Sequence, residues 1–205
     1  MPANLAEEAR RLQARQARQR QHRTLPSLWL VTDGRRLPDP LPAVAALPRG
    51  SGVIFRHYEA PGRGALAAAL ARLCRRRGVL LLVAGDARLA AAVGAAGVHL
   101  PEAEGYRATA LKRQRPTWVV SIAAHSLPAL KLKRARVADF TLLSPVFATR
   151  SHPGAITLGP LRFASLCRQS PVRVVALGGI NGATASLLHG ARHSGLAAID
   201  GLLLR

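Results

Sequence analysis

Half of the ten acidic residues in this chain sit at or just after short apolar runs: Asp33, Asp86, Glu102, Glu104 and Asp200. Polar groups gathered where buried strands end make a pocket suited to a charged or metal-bound ligand. His125 opens the turn His125-Ser126-Leu127-Pro128 directly after an apolar run, so its imidazole is expected at the pocket mouth. A histidine titrating near neutrality both donates and accepts a proton, the chemistry of acid/base catalysis. In Leu177-Gly178-Gly179-Ile180-Asn181 a strand pattern runs into paired glycines before a helical stretch. Such glycines let an anion approach backbone N–H groups, so phosphate is expected at Gly178 and Gly179. Asp200 complicates that site, because a carboxylate there repels phosphate unless it points away or meets an arginine.

The segment from Ser144 to Gly154 is hydroxyl-rich and basic. Thr149 and Ser151 supply donors and Arg150 a counter-charge for a phosphorylated ligand over which the loop closes. The plainer alternative is a solvated surface loop. His99, between Val98 and Leu100, reads as a satisfied core histidine, and His57 is left open.

These residues need a scaffold that brings eight strand ends together. Runs of strand length occur at Leu28 to Asp33, Gly52 to His57, Val79 to Gly85, Gly97 to Pro101, Trp118 to Ala124, Asp139 to Val146, Val172 to Gly179 and Leu196 to Leu202. Their hydrophobicity is continuous rather than alternating, the pattern of parallel strands buried on both faces. Stretches of helical spacing separate them, best seen in Gly64 to Arg77, where Leu66, Leu70 and Leu73 share a face and Gly78 ends the helix. An α/β chain with eight such units predicts a compact (β/α)8 TIM barrel. A doubly wound open sheet is the alternative, opposed by the lack of G-x-G-x-x-G after the first strand. In either fold the active site lies past the carboxyl ends of the strands.

Composition bounds the rest. A chain of 205 residues, 49% hydrophobic and 20% charged, suits one core. Its formal charge of +20 rests on 30 Lys plus Arg, nearly all Arg. An aromatic content of 4% is thin for base stacking, and no nucleic-acid motif appears, so no specific nucleic-acid partner is expected. Cys74 and Cys167 lack metal-ligand spacing and suggest no disulfide framework, which favours a cytoplasmic setting. No apolar run of about 18 residues exists, so no membrane span is expected. Residues 1–24 read as a basic helical extension of Arg and Gln, an arm for an anionic partner or oligomer contact, or more simply a solvated, partly frayed helix. Residues 25–205 form the barrel.

The ordered motifs Leu28-Trp29-Leu30-Val31-Thr32-Asp33, Gly97-Val98-His99-Leu100, Ser144-Pro145-Val146-Phe147-Ala148-Thr149 and Val175-Ala176-Leu177-Gly178-Gly179-Ile180 resemble the thiamine-phosphate synthase and thiazole tautomerase (TenI) family. The resemblance spans about residues 27–204 and implies a barrel that binds a thiazole phosphate in thiamine biosynthesis. Synthases of that family join a pyrimidine diphosphate to a thiazole phosphate with Mg2+. Of the Gln-x-Arg-x-Lys motif after strand two only Arg56 remains here, between Ile54 and Tyr58. Asn-Asp after strand three is Ala84-Gly85, so the metal would fall to Asp86 with a shift, and to Glu104 in place of the second carboxylate. The pyrimidine-contacting serine is Ala123, Thr-x-Thr-Lys is Thr149-Arg150-Ser151-His152, and the final phosphate-binding serine matches Asp200.

The losses fall on the diphosphate and metal side, while the thiazole-phosphate glycines remain. The expectation is therefore a tautomerase-like enzyme without a cofactor, in which His125, aligned with that branch's catalytic histidine, works with Arg56. A divergent synthase with Mg2+ on Asp86 and Glu104 is the alternative, and a catalytically silent phosphometabolite-binding barrel is a third. The partner is a small phosphorylated thiazole. The sequence leaves the oligomeric state open.

Overall fold

The computed structural model describes residues 5–18, 25–131, 137–151, 154–199 and 202. Eight strands close into a parallel barrel in chain order: β1 (Leu28–Val31), β2 (Gly52–Phe55), β3 (Leu80–Ala84), β4 (Gly97–Leu100), β5 (Val119–Ala124), β6 (Phe140–Leu143), β7 (Val174–Ala176) and β8 (Gly195–Ala198). β8 pairs with β1 through Leu28↔Leu196 and Leu30↔Ala198. The closed order excludes the open doubly wound sheet. Each strand falls within its apolar run apart from Gly195, and all but β5 stop short of the run's end.

The helices are α1 (Leu5–Arg18), α2 (Leu41–Ala45), α3 (Arg63–Arg77), α4 (Ala87–Ala92), α5 (Ala108–Gln114), α6 (Leu127–Lys131), α7 (Gly159–Gln169) and α8 (Gly182–Ser186). A 3-10 turn over Glu102–Arg107 precedes α5. α3 realises the expected crossover: Ala67, Leu70, Ala71 and Cys74 are buried, and Gly78 in the left-handed region ends the helix.

Strand residues alternate between barrel interior and helix layer. Trp29, Ile54, Leu82, Val119, Phe140 and Val175 pack in the interior, while Leu30, Val53, Val83 and Val98 face the helices. Trp29 and Phe140 plug the lower barrel with ring centroids 4.7 Å apart. The plug needs Gly52, Trp29's partner in register, because a Cβ there would lie 2.3 Å from the indole. With the lower interior filled, the upper layer is left for a ligand.

α1 differs from the solvated helix the sequence suggests. Leu5 and Ala9 are buried in the cluster that holds Leu28, Ala185 and Leu196. Ser27 Oγ donates to the Ala9 carbonyl at 2.7 Å. Glu8 is buried and meets His189 Nε2 at 2.6 Å and Arg11 at 3.3 Å. A thin apolar stripe suffices because one buried, paired carboxylate fills the remaining gap. Among the described residues no helix is long and apolar enough to cross a membrane.

Candidate active site

A cavity of about 940 Å3 opens at the carboxyl ends of the strands. Its floor is made by His99, Ala123, Leu142 and Leu177, one interior residue from or just past each of β4 to β7. Three guanidinium-bearing residues line it, Arg36, Arg56 and Arg150, against one carboxylate, Glu102, among the described residues. Such a balance favours an anionic ligand.

Of the residues singled out from sequence, Arg56, His125, Thr149, Arg150, Ser151, Gly178 and Gly179 line this cavity together. Asp86 and Glu104 do not line it. Asp200, and His152 of the loop, lie outside the described residues.

Gly178 and Gly179 have φ of 96° and 63°. A Cβ would lie 2.8 Å from Pro145 Cα at Gly178 and 2.4 Å from the Ala148 carbonyl oxygen at Gly179. The glycines thus let the β6–α7 loop pack onto the end of β7, where Val146 N–H and Phe147 N–H donate to the carbonyls of Leu177 and Gly178. Among the described residues, nothing accepts the N–H groups of Gly178, Gly179 and Ile180, and all three residues line the cavity. Three successive open donors at the cavity wall are groups that can hold an anion. The N–H groups at the start of α8 are not open donors: Asn181 Oδ1 accepts from those of Ala183 and Thr184. The open donors lie one step earlier, in the glycine turn.

The β6–α7 loop is tied across the mouth. Arg36 Nη1, from the β1–α2 loop, donates to Ser151 Oγ at 2.6 Å, and Thr149 Oγ1 accepts from Ser151 N–H at 3.4 Å. Asp33 shapes the other side: Oδ1 accepts from the N–H groups of Arg35 and Arg36, and Oδ2 lies 3.9 Å from Arg56 Nη2. His57 is part of this scaffold. Its Nε2 lies 3.0 Å from the Leu37 carbonyl, which can only accept, so Nδ1 is left to accept from Thr32 Oγ1 at 2.9 Å. Thr32 Oγ1 in turn accepts from Arg56 N–H at 3.0 Å.

At the mouth, His125 Nδ1 lies 2.9 Å from the Ser144 carbonyl. A carbonyl only accepts, so Nδ1 carries the proton and the lone pair of the neutral ring is on Nε2. Glu102 Oε2 accepts from His125 N–H at 2.9 Å and fixes the backbone. In that tautomer Nε2 is the ring atom able to accept a proton.

The carboxylates on which a metal would depend are engaged elsewhere. Asp86 caps α4, accepting from Leu89 N–H at 2.8 Å, and pairs with Arg63 at 3.3 Å. Arg63 also donates to the Ala84 carbonyl at 2.7 Å and lies 5.7 Å from the ring centroids of Phe55 and Tyr58. Glu104 pairs with Arg107. Gly85 cannot supply the missing carboxylate by simple substitution, since its φ is +72° and a Cβ would meet the Tyr58 ring at 3.3 Å. Among the described residues no three His, Cys, Asp or Glu cluster. A divalent cation shared with ligand phosphates needs carboxylates facing the cavity; among the described residues Glu102 is the one carboxylate in its lining, its Oε2 taken by His125 N–H, and Asp86 and Glu104 are held by arginines outside, so the described residues do not fit one.

One residue of this floor, His99, reads from the sequence as core, and Arg36 at the mouth has no counterpart among the residues expected there. His99 is 5% exposed and pairs in register with Ser121, with Nδ1 2.9 Å from Ser121 Oγ. Burial, reinforced by the positive Arg56, pushes its pKa down to about 3. It shares its face of β4 with Gly97, and that parity, close to the strand end, is the signal that could have found it. Arg36 carries no sequence signal, because only the closed barrel brings its loop to Ser151.

The chain resembles known proteins in sequence and in fold. A sequence model of the family described as "Thiamine monophosphate synthase" (TMP-TENI) matches residues 28–202. The chain is 38% identical over 115 residues to the "Putative thiamine-phosphate synthase 2" of Aquifex aeolicus, covering 56% of this chain and 61% of that one. It is 30% identical over 183 residues to the "Thiamine-phosphate synthase" of Coprothermobacter proteolyticus, covering 86% of both. The solved thiamine phosphate pyrophosphorylase of Pyrococcus furiosus superposes with a TM-score of 0.72 at 26% identity, over 85% of each chain.

Proposed function

The chain belongs to the thiamine-phosphate synthase and TenI family, an enzyme family of thiamine biosynthesis, and from that premise we propose that its cavity binds a thiazole phosphate and catalyses metal-independent, tautomerase-like proton transfer. The observation that carries this reading is His125: its Nδ1–H is engaged by the Ser144 carbonyl, so Nε2 presents a lone pair at the mouth of a cationic cavity.

In this reading the phosphate rests on the N–H groups of Gly178, Gly179 and Ile180, with Arg150 as counter-charge and the Thr149 and Ser151 loop closing over it. His125 Nε2 removes a proton from a carbon of the partly saturated carboxythiazole. The Ser144 carbonyl stabilises the resulting imidazolium. The imidazolium, exposed at the mouth and exchanging its proton with solvent, then delivers a proton to the other end of the conjugated system, which completes the aromatic ring. Nothing is oxidised and no group leaves. Acid/base catalysis of this kind contributes about 10^2 to 10^4 in rate. Arg56, held by Asp33, faces the negative charge of the ligand.

A second reading, synthesis of thiamine phosphate with Mg2+, is favoured by the names of the relatives. It requires Asp86 and Glu104 to release Arg63 and Arg107. One assay series separates the two: purified protein with the carboxythiazole phosphate, or with thiazole phosphate and pyrimidine diphosphate, each with Mg2+ or a chelator. Isomerisation that survives chelation and falls about 10^2-fold or more in His125→Ala supports the proposal. Metal-dependent formation of thiamine phosphate overturns it in favour of the synthase. Absence of binding to any of these at millimolar concentration leaves the silent barrel.

A further inference from the structure

Buried polar side chains are satisfied within the protein or reserved for a ligand. His99 is more than nine-tenths buried, yet its ring forms part of the cavity floor. Among the described residues its only side-chain hydrogen bond joins Nδ1 to Ser121 Oγ at 2.9 Å. Ser121 is completely buried, and among the described residues its hydroxyl proton has no other acceptor. If Nδ1 carried the imidazole proton, the Ser121 hydroxyl would be a buried donor with no partner, at a cost of about 1–3 kcal/mol. The alternative satisfies both groups: Ser121 donates to Nδ1, and the imidazole proton sits on Nε2, the nitrogen left to the cavity. Burial and the neighbouring Arg56 keep the ring neutral.

We propose that His99 is a further catalytic residue, whose neutral Nε2–H donates a hydrogen bond to the ring nitrogen of an azole phosphate seated in the cavity. The assignment rests on the thiazole-phosphate reading and adds the group that recognises the ring. The two histidines then have complementary tautomers, His125 with a lone pair on Nε2 and His99 with a proton there. When His125 takes the proton from carbon, negative charge spreads over the carbons flanking the ring nitrogen, and a hydrogen bond to that nitrogen's lone pair makes it a stronger electron-withdrawing neighbour. His99 supplies that bond with an N–H already in place, and it keeps its own proton throughout. A neutral donor suits this role, because an imidazolium would protonate the ring nitrogen or bind the phosphate instead.

The test is a nitrogen-15 NMR spectrum of the histidine side chains in the full chain, with His99 identified by the signal lost in His99→Gln. The spectrum of the free protein should show the Nε2–H tautomer, and saturation with the thiazole phosphate, followed by calorimetry, should move that resonance. His99→Phe should raise Kd roughly ten-fold, while His99→Gln, which keeps an N–H donor, should recover much of the loss. An Nδ1–H tautomer overturns the inference, as does a His99 resonance that stays put while calorimetry shows saturation. Failure to saturate overturns the thiazole-phosphate reading and this inference together.

Discussion

Gly179→Ala is the substitution in which the fold and the phosphate site are tested at once. At φ of 63° the left-handed backbone costs an alanine roughly 1–2 kcal/mol. Its Cβ would lie 2.4 Å from the Ala148 carbonyl oxygen and 2.8 Å from Phe147 Cβ. The first is backbone and cannot rotate away, so the β6–α7 loop must move, at roughly 1–3 kcal/mol. A total of about 2–5 kcal/mol corresponds to a melting temperature lower by about 5–15 °C for a chain of this size. The displaced segment carries Thr149, Arg150 and Ser151, so affinity for the thiazole phosphate should fall at least about ten-fold even well below the melting temperature. Calorimetric melting and binding titration, with Gly190→Ala alongside, provide the assay. A Cβ added at Gly190 would meet nothing within 4 Å, so that substitution should change stability by less than about 0.5 kcal/mol. A Gly179→Ala protein that melts and binds like the parent would refute the claim that this turn needs glycine and that its N–H groups hold the ligand.

Three further outcomes follow from the same contacts. The His99 pKa, pushed down from 6.5 to about 3 on folding, means the unfolded chain binds the extra proton first. Its contribution to stability is therefore complete above about pH 6.5 and is lost as pH falls towards 3. Urea titrations at pH 7 and pH 5 should show a loss of about 2 kcal/mol from this group, absent in His99→Gln. Gly52→Ala drives a Cβ to 2.3 Å from the Trp29 ring and should leave little soluble folded protein, judged by circular dichroism. Burial pushes the Cys74 and Cys167 thiols up to about 11 and about 12. Neither should react with a thiol reagent at pH 8 until denaturant is added, and rapid native labelling of either would contradict its place in the core.

The barrel is legible in the sequence because its strands are buried on both faces and therefore read as unbroken apolar runs. The strand ends are not, since residues such as Asp33 and Pro101 continue the run in sequence while leaving the ladder in space. The cavity's glycine turn and His125 can be read for a different reason: the paired glycines and the His-Ser-Leu-Pro turn visibly break an apolar run. What sequence does not supply is who answers whom. Asp86 reads as free for a metal, yet it caps α4 and faces Arg63, a residue on the preceding helix. His99 reads as core because its neighbours in sequence are apolar, whereas its neighbours in space are Ser121 and the cavity. The basic helix α1 reads as solvated because its apolar positions are few. Leu5, Ala9 and the buried Glu8 nevertheless pack against the barrel.

The central claim is that His125 moves a proton on a thiazole phosphate without metal. The most direct measurement is NMR detection of solvent deuterium entering the product when the carboxythiazole phosphate is incubated with the protein in heavy water and excess chelator. Deuterium is expected at the carbon that receives the proton, at a rate unaffected by chelator and lost in His125→Ala. Turnover that stops with the chelator, or that persists in His125→Ala, would contradict the claim.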